Sequence, residues 1–250
     1  MSLSNFIILL ITGILVGFIN VISAGGSLIS LPILIFLGLP SSIANGTNRI
    51  AILIQNITAF IAFLRKDLIK WKISLFLSIP AIIGSFLGAE LAIDLSDDAF
   101  NNTIAIIMVG VVILILFKPH TYIKTNLHTF TLRKQLVLFL SFIIVGFYGG
   151  FIQAGVGFLI IAFLTILAGQ YTLIEMHSVK TVITFLYLLL STIVFIVYGQ
   201  INWLYAIVLA IGTGIGGWFG TRFAISISEE FLRITMTFVI LLMAIKLLLF

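Results

Sequence analysis

An interrupted stretch from Gly17 to Arg49 constrains this chain more than any other sequence feature. Long apolar runs surround it, yet it contains paired glycines, two prolines, three asparagines and an arginine. At membrane depth an unpaired backbone amide or carbonyl is costly, so residues that break helices persist only where protein or a water-filled cavity surrounds them. The stretch therefore predicts a substrate site built from broken helices. Ordinary loops between short helices are the alternative.

The composition indicates that the apolar runs lie in a membrane. Of the 250 residues, 62% are hydrophobic and only 8% are charged, whereas soluble domains carry about 25% charged residues. We expect an all-α, multi-pass protein of the cell membrane, surrounded by the lipid bilayer. The net charge of +5 does not indicate nucleic acid as a partner, because most basic residues lie in short loops, where they set the orientation of the spans.

Several chemistries are disfavoured. The chain has no cysteine, and its three histidines are too scattered to suggest a metal cluster. No nucleophile elbow, phosphate loop or pair of catalytic carboxylates is present, so we expect neither an enzyme nor a cofactor. A homo-oligomer is left open.

The pattern of apolar and polar residues predicts ten segments and a hinge between two halves. A serine after Pro40, either Ser41 or Ser42, is predicted to cap the third segment. The stretch 118–134 has four basic residues and no acid, and it is predicted to be a cytoplasmic linker. The predicted segments are 3–23, 27–38, 43–65, 73–93, 100–117, 135–152, 157–168, 174–198, 203–225 and 230–249.

The two halves show an internal repeat. Three landmarks recur 132 positions later, and the Ala24-Gly25-Gly26-Ser27 stretch recurs at a spacing of 130 as Ala154-Gly155-Val156-Gly157. We therefore divide the chain into a first transmembrane repeat (1–117), the linker (118–134) and a second transmembrane repeat (135–250). The three landmarks are Trp71 with Trp203, Gly84-x-x-x-Gly88 with Gly216-x-x-x-Gly220, and Ser96-Asp97-Asp98 with Ser228-Glu229-Glu230.

The loop charges favour inverted repeats of five segments each. Loop 65–72 has four basic residues and loop 94–99 has none, which places the first loop inside and the second outside. In the second half the bias is reversed, since loop 199–202 has no basic residue whereas Arg222 and Arg233 flank loop 226–229. Four full crossings per half plus a re-entrant piece, for eight crossings and parallel repeats, are the alternative.

Arg49 and Lys180 are the informative charges, because each follows the broken stretch of its own half. A cation at membrane depth costs from ~2.5 kcal/mol upward and usually faces a cavity or a partner. Two such cations beside helix N-termini would favour an anion. The alternative is that either side chain extends to the membrane interface.

Other residues near the breaks are candidates for lining the same pocket. Glycines at the breaks could expose backbone N–H groups to an anion, although glycine also serves close helix packing. Glu175 and His177 are candidates for carrying a coupled proton, with a solvated helix end as the alternative. The predicted substrate-binding residues, besides Arg49 and Lys180, are Asn20, Ser23, Gly25, Gly26, Asn45, Thr47, Asn48, Gln153, Gly155, Gly157 and Thr181.

These motifs resemble the sulfite exporter TauE/SafE family of membrane permeases. The resemblance rests on Ala24 to Pro32, on Leu37 to Pro40, on Ala44 to Arg49 and on Trp71, together with their second-half counterparts, and it covers essentially the whole chain. It implies transport of small anions that often contain sulfur, such as sulfite or organosulfonates.

The predicted function is therefore a secondary transporter for a small anion, acting by alternating access. The alternative is a membrane scaffold or accessory subunit that moves nothing. Paired intramembrane cations at helix breaks favour the transporter, because a scaffold does not need them.

Overall fold

The computed structural model of the chain describes residues 1–23, 26–117, 132–167, 171–223 and 229–249. These residues form ten α-helices that follow the apolar runs, because in lipid a helix satisfies its backbone groups internally. The all-α prediction is confirmed. The helices are α1 (Leu3–Ser23), α2 (Ser27–Phe36), α3 (Ser41–Arg65), α4 (Trp71–Asp94), α5 (Asp97–Phe117), α6 (Leu132–Phe151), α7 (Val156–Leu167), α8 (Leu173–Val197), α9 (Trp203–Phe223) and α10 (Glu229–Leu249).

Four described helices are long and apolar enough to cross a membrane, and several shorter apolar helices lie between or after them. The four spans are Leu3–Asn20, Ser41–Arg65, Trp71–Asp94 and Ile174–Val197. Most of the predicted linker, 118–131, lies outside the described residues.

The start of α3 corrects one prediction. Neither Ser41 nor Ser42 caps this helix, because Pro40 occupies the N-cap position and makes no side-chain cap hydrogen bond. Ser41 is already the first helical residue, and its backbone N–H donates to Asp97 Oδ1 at 2.7 Å. Asp97 of α5 thus accepts a hydrogen bond from the N-terminal backbone of α3, which is the role that was expected of a local serine.

Glycines allow two helix pairs, α1 with α9 and α4 with α6, to pack at backbone distance. A Cβ at Gly84, Gly88 or Gly216 would overlap a backbone carbonyl oxygen of the neighbouring helix, so these glycines are positions of close helix packing. Gly220 lies outside the described contacts. The residue pairs in contact are Gly13 with Gly212, Gly17 with Gly217, Gly84 with Ile143 and Gly88 with Phe147.

Those contacts also give helix directions. In both pairs the partner number rises along the helix, so α1 runs parallel to α9 and α4 runs parallel to α6. Helices α3 and α8 run in opposite directions, because Arg49 bonds Ser191 while Phe60, later in α3, stacks on Phe185, earlier in α8.

The helix ends form two faces of opposite charge. Helices α1, α3 and α9 begin at the acidic face, which we define by Asp94, Asp97 and Asp98; there Asn5 bonds Tyr205 at 3.1 Å and Thr47 bonds Asn202 at 2.9 Å. Helices α4 and α8 begin at the basic face, which we define by Arg65, Lys66, Lys70 and Lys72. An ion pair of 2.7 Å between Lys70 and Glu175 joins their starts.

The directions fit the predicted inversion of the two halves. Helices α1, α3 and α9 run from the acidic face to the basic face, whereas α6, α8 and α4 run the other way. Each helix of the first set therefore opposes the one that the sequence repeat assigns to it as counterpart. The duplication and its bounds stay predictions.

Candidate functional site

Both helix breaks lie where the sequence places the glycines. In the first half the chain leaves α1 after Ser23, and the N–H of Gly26 donates to Asn20 Oδ1 at 2.7 Å before α2 begins. In the second half Gln153 and Gly155 have φ angles of +68° and +73° between α6 and α7. Left-handed backbone is favourable for glycine and strained for glutamine, so the position of Gln153 is held by its surroundings.

The two breaks meet inside the protein. The N–H of Gly155, beside the start of α7, donates to the hydroxyl of Ser27, the first residue of α2, at 3.3 Å. Both of these short helices therefore begin in one place. Because a helix N-terminus carries about half a positive charge, the meeting point is electropositive before any side chain is considered.

A cavity of about 760 Å³ extends from this meeting point toward the basic face. Its inner end is lined by Asn20, Ser27, Gln153 and Gly157, and its outer end by Lys66 and Leu68 beside the α3–α4 loop. The walls come from the second half of α3, the first half of α8 and the later part of α9. The lining residues between the two ends include Gln55, Asn56, Thr58, Ala59, Ala62, Phe63, His177, Lys180, Thr181, Thr184 and Trp218.

Lys180 is a cation on the wall of this cavity, in the first half of α8. Its side chain is half-buried. Among the described residues no carboxylate lies within 4.0 Å of its ammonium group. His177 lies one helical turn earlier on the same wall. An unpaired cation on the wall of a cavity is suited to an anionic ligand.

Neutral polar groups surround the inner end and are held by one another. The amide of Asn20 donates to Gln55 Oε1 at 2.9 Å, and the amide of Gln55 donates to the backbone carbonyl of Gly17 at 3.3 Å. The hydroxyl of Tyr187 donates to Gln153 Oε1 at 3.1 Å. These bonds fix the amides in place at the breaks, as a pre-organised polar site requires.

Arg49 does not line this cavity. Its side chain is 0% exposed, and its guanidinium group donates to the carbonyls of Gly149, Gly150 and Phe151 at the C-terminal end of α6. It also donates to the Ser191 hydroxyl at 2.9 Å. These contacts make Arg49 a link between α3, α6 and α8.

Three neighbours of Arg49 on α3 are also held in helix contacts away from the cavity. Asn45 donates to the Phe151 carbonyl at 2.6 Å, Thr47 accepts from the N–H of Asn202 at 2.9 Å, and Asn48 accepts from the Ser30 hydroxyl at 2.7 Å. The structure thus separates the predicted site residues into a cavity set and an α3 packing set.

The remaining predicted residues divide as follows. Thr181 lines the cavity and donates its hydroxyl to the His177 carbonyl at 2.9 Å. Glu175 forms a capping box with Thr172 and pairs with Lys70. Gly25 and the side chain of Ser23 lie outside what the structure describes.

Sequence reasoning did not recognise that Gln55, a polar residue near the breaks, begins a stripe of cavity-lining residues along α3. Gln55, Ala59, Ala62 and Lys66 recur every three or four positions and all line the cavity. This helical spacing of small and polar residues within an apolar span could have been found from the sequence. The predicted site was based on the residues at the glycine breaks and did not include this stripe.

Comparisons with known proteins find relatives that are described as membrane transporters. A family model described as "Sulfite exporter TauE/SafE" matches residues 9–247. A "Probable membrane transporter protein" of Haemophilus influenzae is 28% identical over 232 residues, which cover 90% of this chain and 88% of the relative. "Probable membrane transporter protein YfcA" of Escherichia coli strain K12 is 24% identical over 96% of this chain and 88% of its own length.

A third relative, "Probable membrane transporter protein YunE" of Bacillus subtilis, is 22% identical over 90% of this chain and 89% of its own length. No solved structure matches the chain.

Proposed function

The chain belongs to the sulfite exporter TauE/SafE family, a family of multi-pass membrane transporters, and from this premise we propose that it carries a small anion by alternating access. The anion binds at the inner end of the cavity, beside Lys180 and the N-termini of α2 and α7. The cavity faces the cytoplasm, because the basic face is the cytoplasmic one under the positive-inside rule.

One observation carries this proposal. Lys180 has no carboxylate partner among the described residues, yet it lines a cavity whose inner end is formed by two helix N-termini. Removing a lysine from bulk water without a counter-charge is unfavourable. An anionic ligand would offset that cost, and no scaffold role accounts for it.

The substrate class follows from the same groups. Ser27, Asn20 and Gln153 place hydroxyl and amide groups in the same cavity as the ammonium group of Lys180. Oxyanions accept several hydrogen bonds at once, so sulfite and organosulfur anions fit this set of groups. The description of the matching family model favours the same substrates.

Two residues remain candidates for coupling. His177 lines the cavity one turn from Lys180, where its imidazole can take up or release a proton to water in the cavity. Glu175 is engaged with Lys70 at the basic face. We assign proton coupling, where transport uses it, to His177 rather than to Glu175.

The test is ligand-dependent thermal stabilisation of the purified protein. A ligand that binds only the folded state raises its apparent stability by ~2.7 kcal/mol at a hundredfold excess over Kd. We expect sulfite, thiosulfate or a sulfonate to raise the melting temperature at constant ionic strength, and the Lys180→Ala variant to lose this response together with anion transport in vesicles. Stabilisation by none of the tested sulfur anions or carboxylates would favour the scaffold alternative.

A further inference from the structure

We propose that Arg49 holds shut a gate at the acidic face, and that the residues around it form the wall of the pathway when the protein opens to that face. The acidic-face gate consists of Asn45, Arg49, Ser191, Val194 and Phe195. This inference rests on the proposed transport by alternating access, and it gives Arg49 a positioning role rather than a contact with the anion.

The two halves of the chain share one register. Helices α3 and α8 each have 25 residues, and they begin at Ser41 and Leu173, which are 132 positions apart. Helices α4 and α9 begin at Trp71 and Trp203, with the same spacing. One shift of 132 therefore relates both pairs of helices.

The same shift relates the cavity lining to residues nearer the acidic face. Most lining residues of α3 and α8 have a counterpart on the other helix that lies toward the acidic face and is more buried. Pairs of this kind include Gln55 with Tyr187, Ala59 with Ser191, Ala62 with Val194, Phe63 with Phe195 and His177 with Asn45. Thr181 lines the cavity and its counterpart is Arg49, but both of these residues are buried.

The two members of these pairs differ in burial. In the five pairs from Gln55–Tyr187 to His177–Asn45, the residue that lines the open cavity is at least partly exposed, whereas its counterpart is at most 7% exposed. The same structural surface is thus open toward the basic face and closed toward the acidic face. Inverted halves that exchange conformations would reverse this arrangement.

Arg49 holds the closed surface together. Its guanidinium group bonds Ser191 at 2.9 Å and lies 4.5 Å from the centre of the Phe195 ring. Asn45 adds a bond of 2.6 Å to the Phe151 carbonyl. Separation of α3 from α8 at the acidic face would break the contacts of Arg49 with Ser191 and Phe195.

The chemistry of the contacts suits a gate that opens. Arg49 bonds backbone carbonyls at the C-terminal end of α6, where a positive charge is favoured by the helix dipole, and among the described residues it has no carboxylate partner. Opening therefore leaves no buried carboxylate behind. The Nε of Arg49 is buried without a hydrogen-bond partner, so the closed state does not satisfy every polar group in the gate.

The absence of cysteine makes the test direct, because single cysteines can be introduced without background. Val194→Cys reports on the acidic-face gate, Ala62→Cys reports on its open counterpart in the cavity, and Ala105→Cys reports on the buried core of α5. Each is made with and without Arg49→Gln, and the rate of modification by a water-soluble maleimide is measured in detergent without added anion.

We expect Arg49→Gln to speed modification of Val194→Cys by about tenfold. This corresponds to a tenfold rise in the population of the state that is open to the acidic face, within the ~0.1–10% usual for minor conformations. Ala62→Cys should react at nearly its original rate, and Ala105→Cys should stay protected. An unchanged rate at position 194 would overturn the proposal. Equal acceleration at positions 194 and 105 would also overturn it, since Arg49 would then hold the whole fold.

If Arg49→Gln does not yield folded protein, Ser191→Ala decides the question, because it removes one bond of the guanidinium group. It should accelerate Val194→Cys in the same way but less, and no acceleration would reject the gate. The test uses no ligand, so it is separate from the anion proposal. A gate response without any anion stabilisation would reject only the substrate assignment.

Discussion

Neutralising Lys180 while keeping most of its length tests the proposed site most sharply. In Lys180→Gln the cavity keeps its shape, but its inner cation is lost. An anion ~4 Å from the ammonium group gains ~4 kcal/mol at an effective dielectric constant of about 20. Loss of water from both charges offsets about half of this gain, and the remaining ~2 kcal/mol corresponds to about 30-fold in Kd.

The assay is isothermal titration of purified protein with the anion that stabilises it best, followed by uptake into vesicles. Lys66→Gln is the matched control, because Lys66 lines the outer end of the same cavity but is exposed. An exposed charge contributes less than ~1 kcal/mol, so this variant should change Kd by about fivefold at most. Lys180→Arg should retain most of the affinity. Equal Kd values for the wild type and Lys180→Gln, or an equally large loss in Lys66→Gln, would refute the reasoning.

Three further predictions concern stability, each measured as thermal unfolding in detergent. Gly84→Ala should cost ~1–3 kcal/mol, because the new methyl group overlaps a backbone carbonyl of α6; Gly110→Ala, where nothing lies within 4 Å, should be neutral or slightly stabilising, and equal effects would contradict this packing. Asn20→Ala should cost ~1–2 kcal/mol, since it removes the partner of the Gly26 N–H; an unchanged melting temperature would mean that water replaces the side chain. Gln153→Ala should be less stable than Gln153→Gly by ~1 kcal/mol, because both lose the side chain but only glycine adopts φ +68° without strain; the reverse order would show that the left-handed conformation carries no strain.

Much of the fold was predictable because apolar run length and helix breakers act locally. The runs predicted ten helices, and their observed ends lie within a few residues of the predicted ones. The glycines at positions 26 and 155 lie at the breaks, as expected. Membrane insertion imposes these choices on each segment separately, since every backbone group in lipid must be paired.

The cap of α3 shows where local reasoning fails. A serine after Pro40 resembles a helix cap, but Asp97 of α5 supplies the acceptor from 56 positions away. No pattern within the segment contains that partner. Hydrogen bonds between helices that are distant in sequence therefore limit how well capping rules predict the partners at helix ends in a membrane protein.

The candidate site likewise combines features that follow from the sequence with features that depend on the tertiary structure. The sequence by itself determined that two cations, Arg49 and Lys180, follow broken helices in an apolar chain, and that something must compensate for them. Only the tertiary structure decided that α6 and α8 compensate for Arg49, whereas Lys180 faces an open cavity. In the repeat register the two positions differ by one residue, which is a rotation of about 100° on a helix. Thr181, the counterpart of Arg49, lines the cavity as Lys180 does, so this rotation does not by itself separate the two cations. The packing of α6 and α8 around Arg49 separates them, and it depends on neighbours that come from distant parts of the chain.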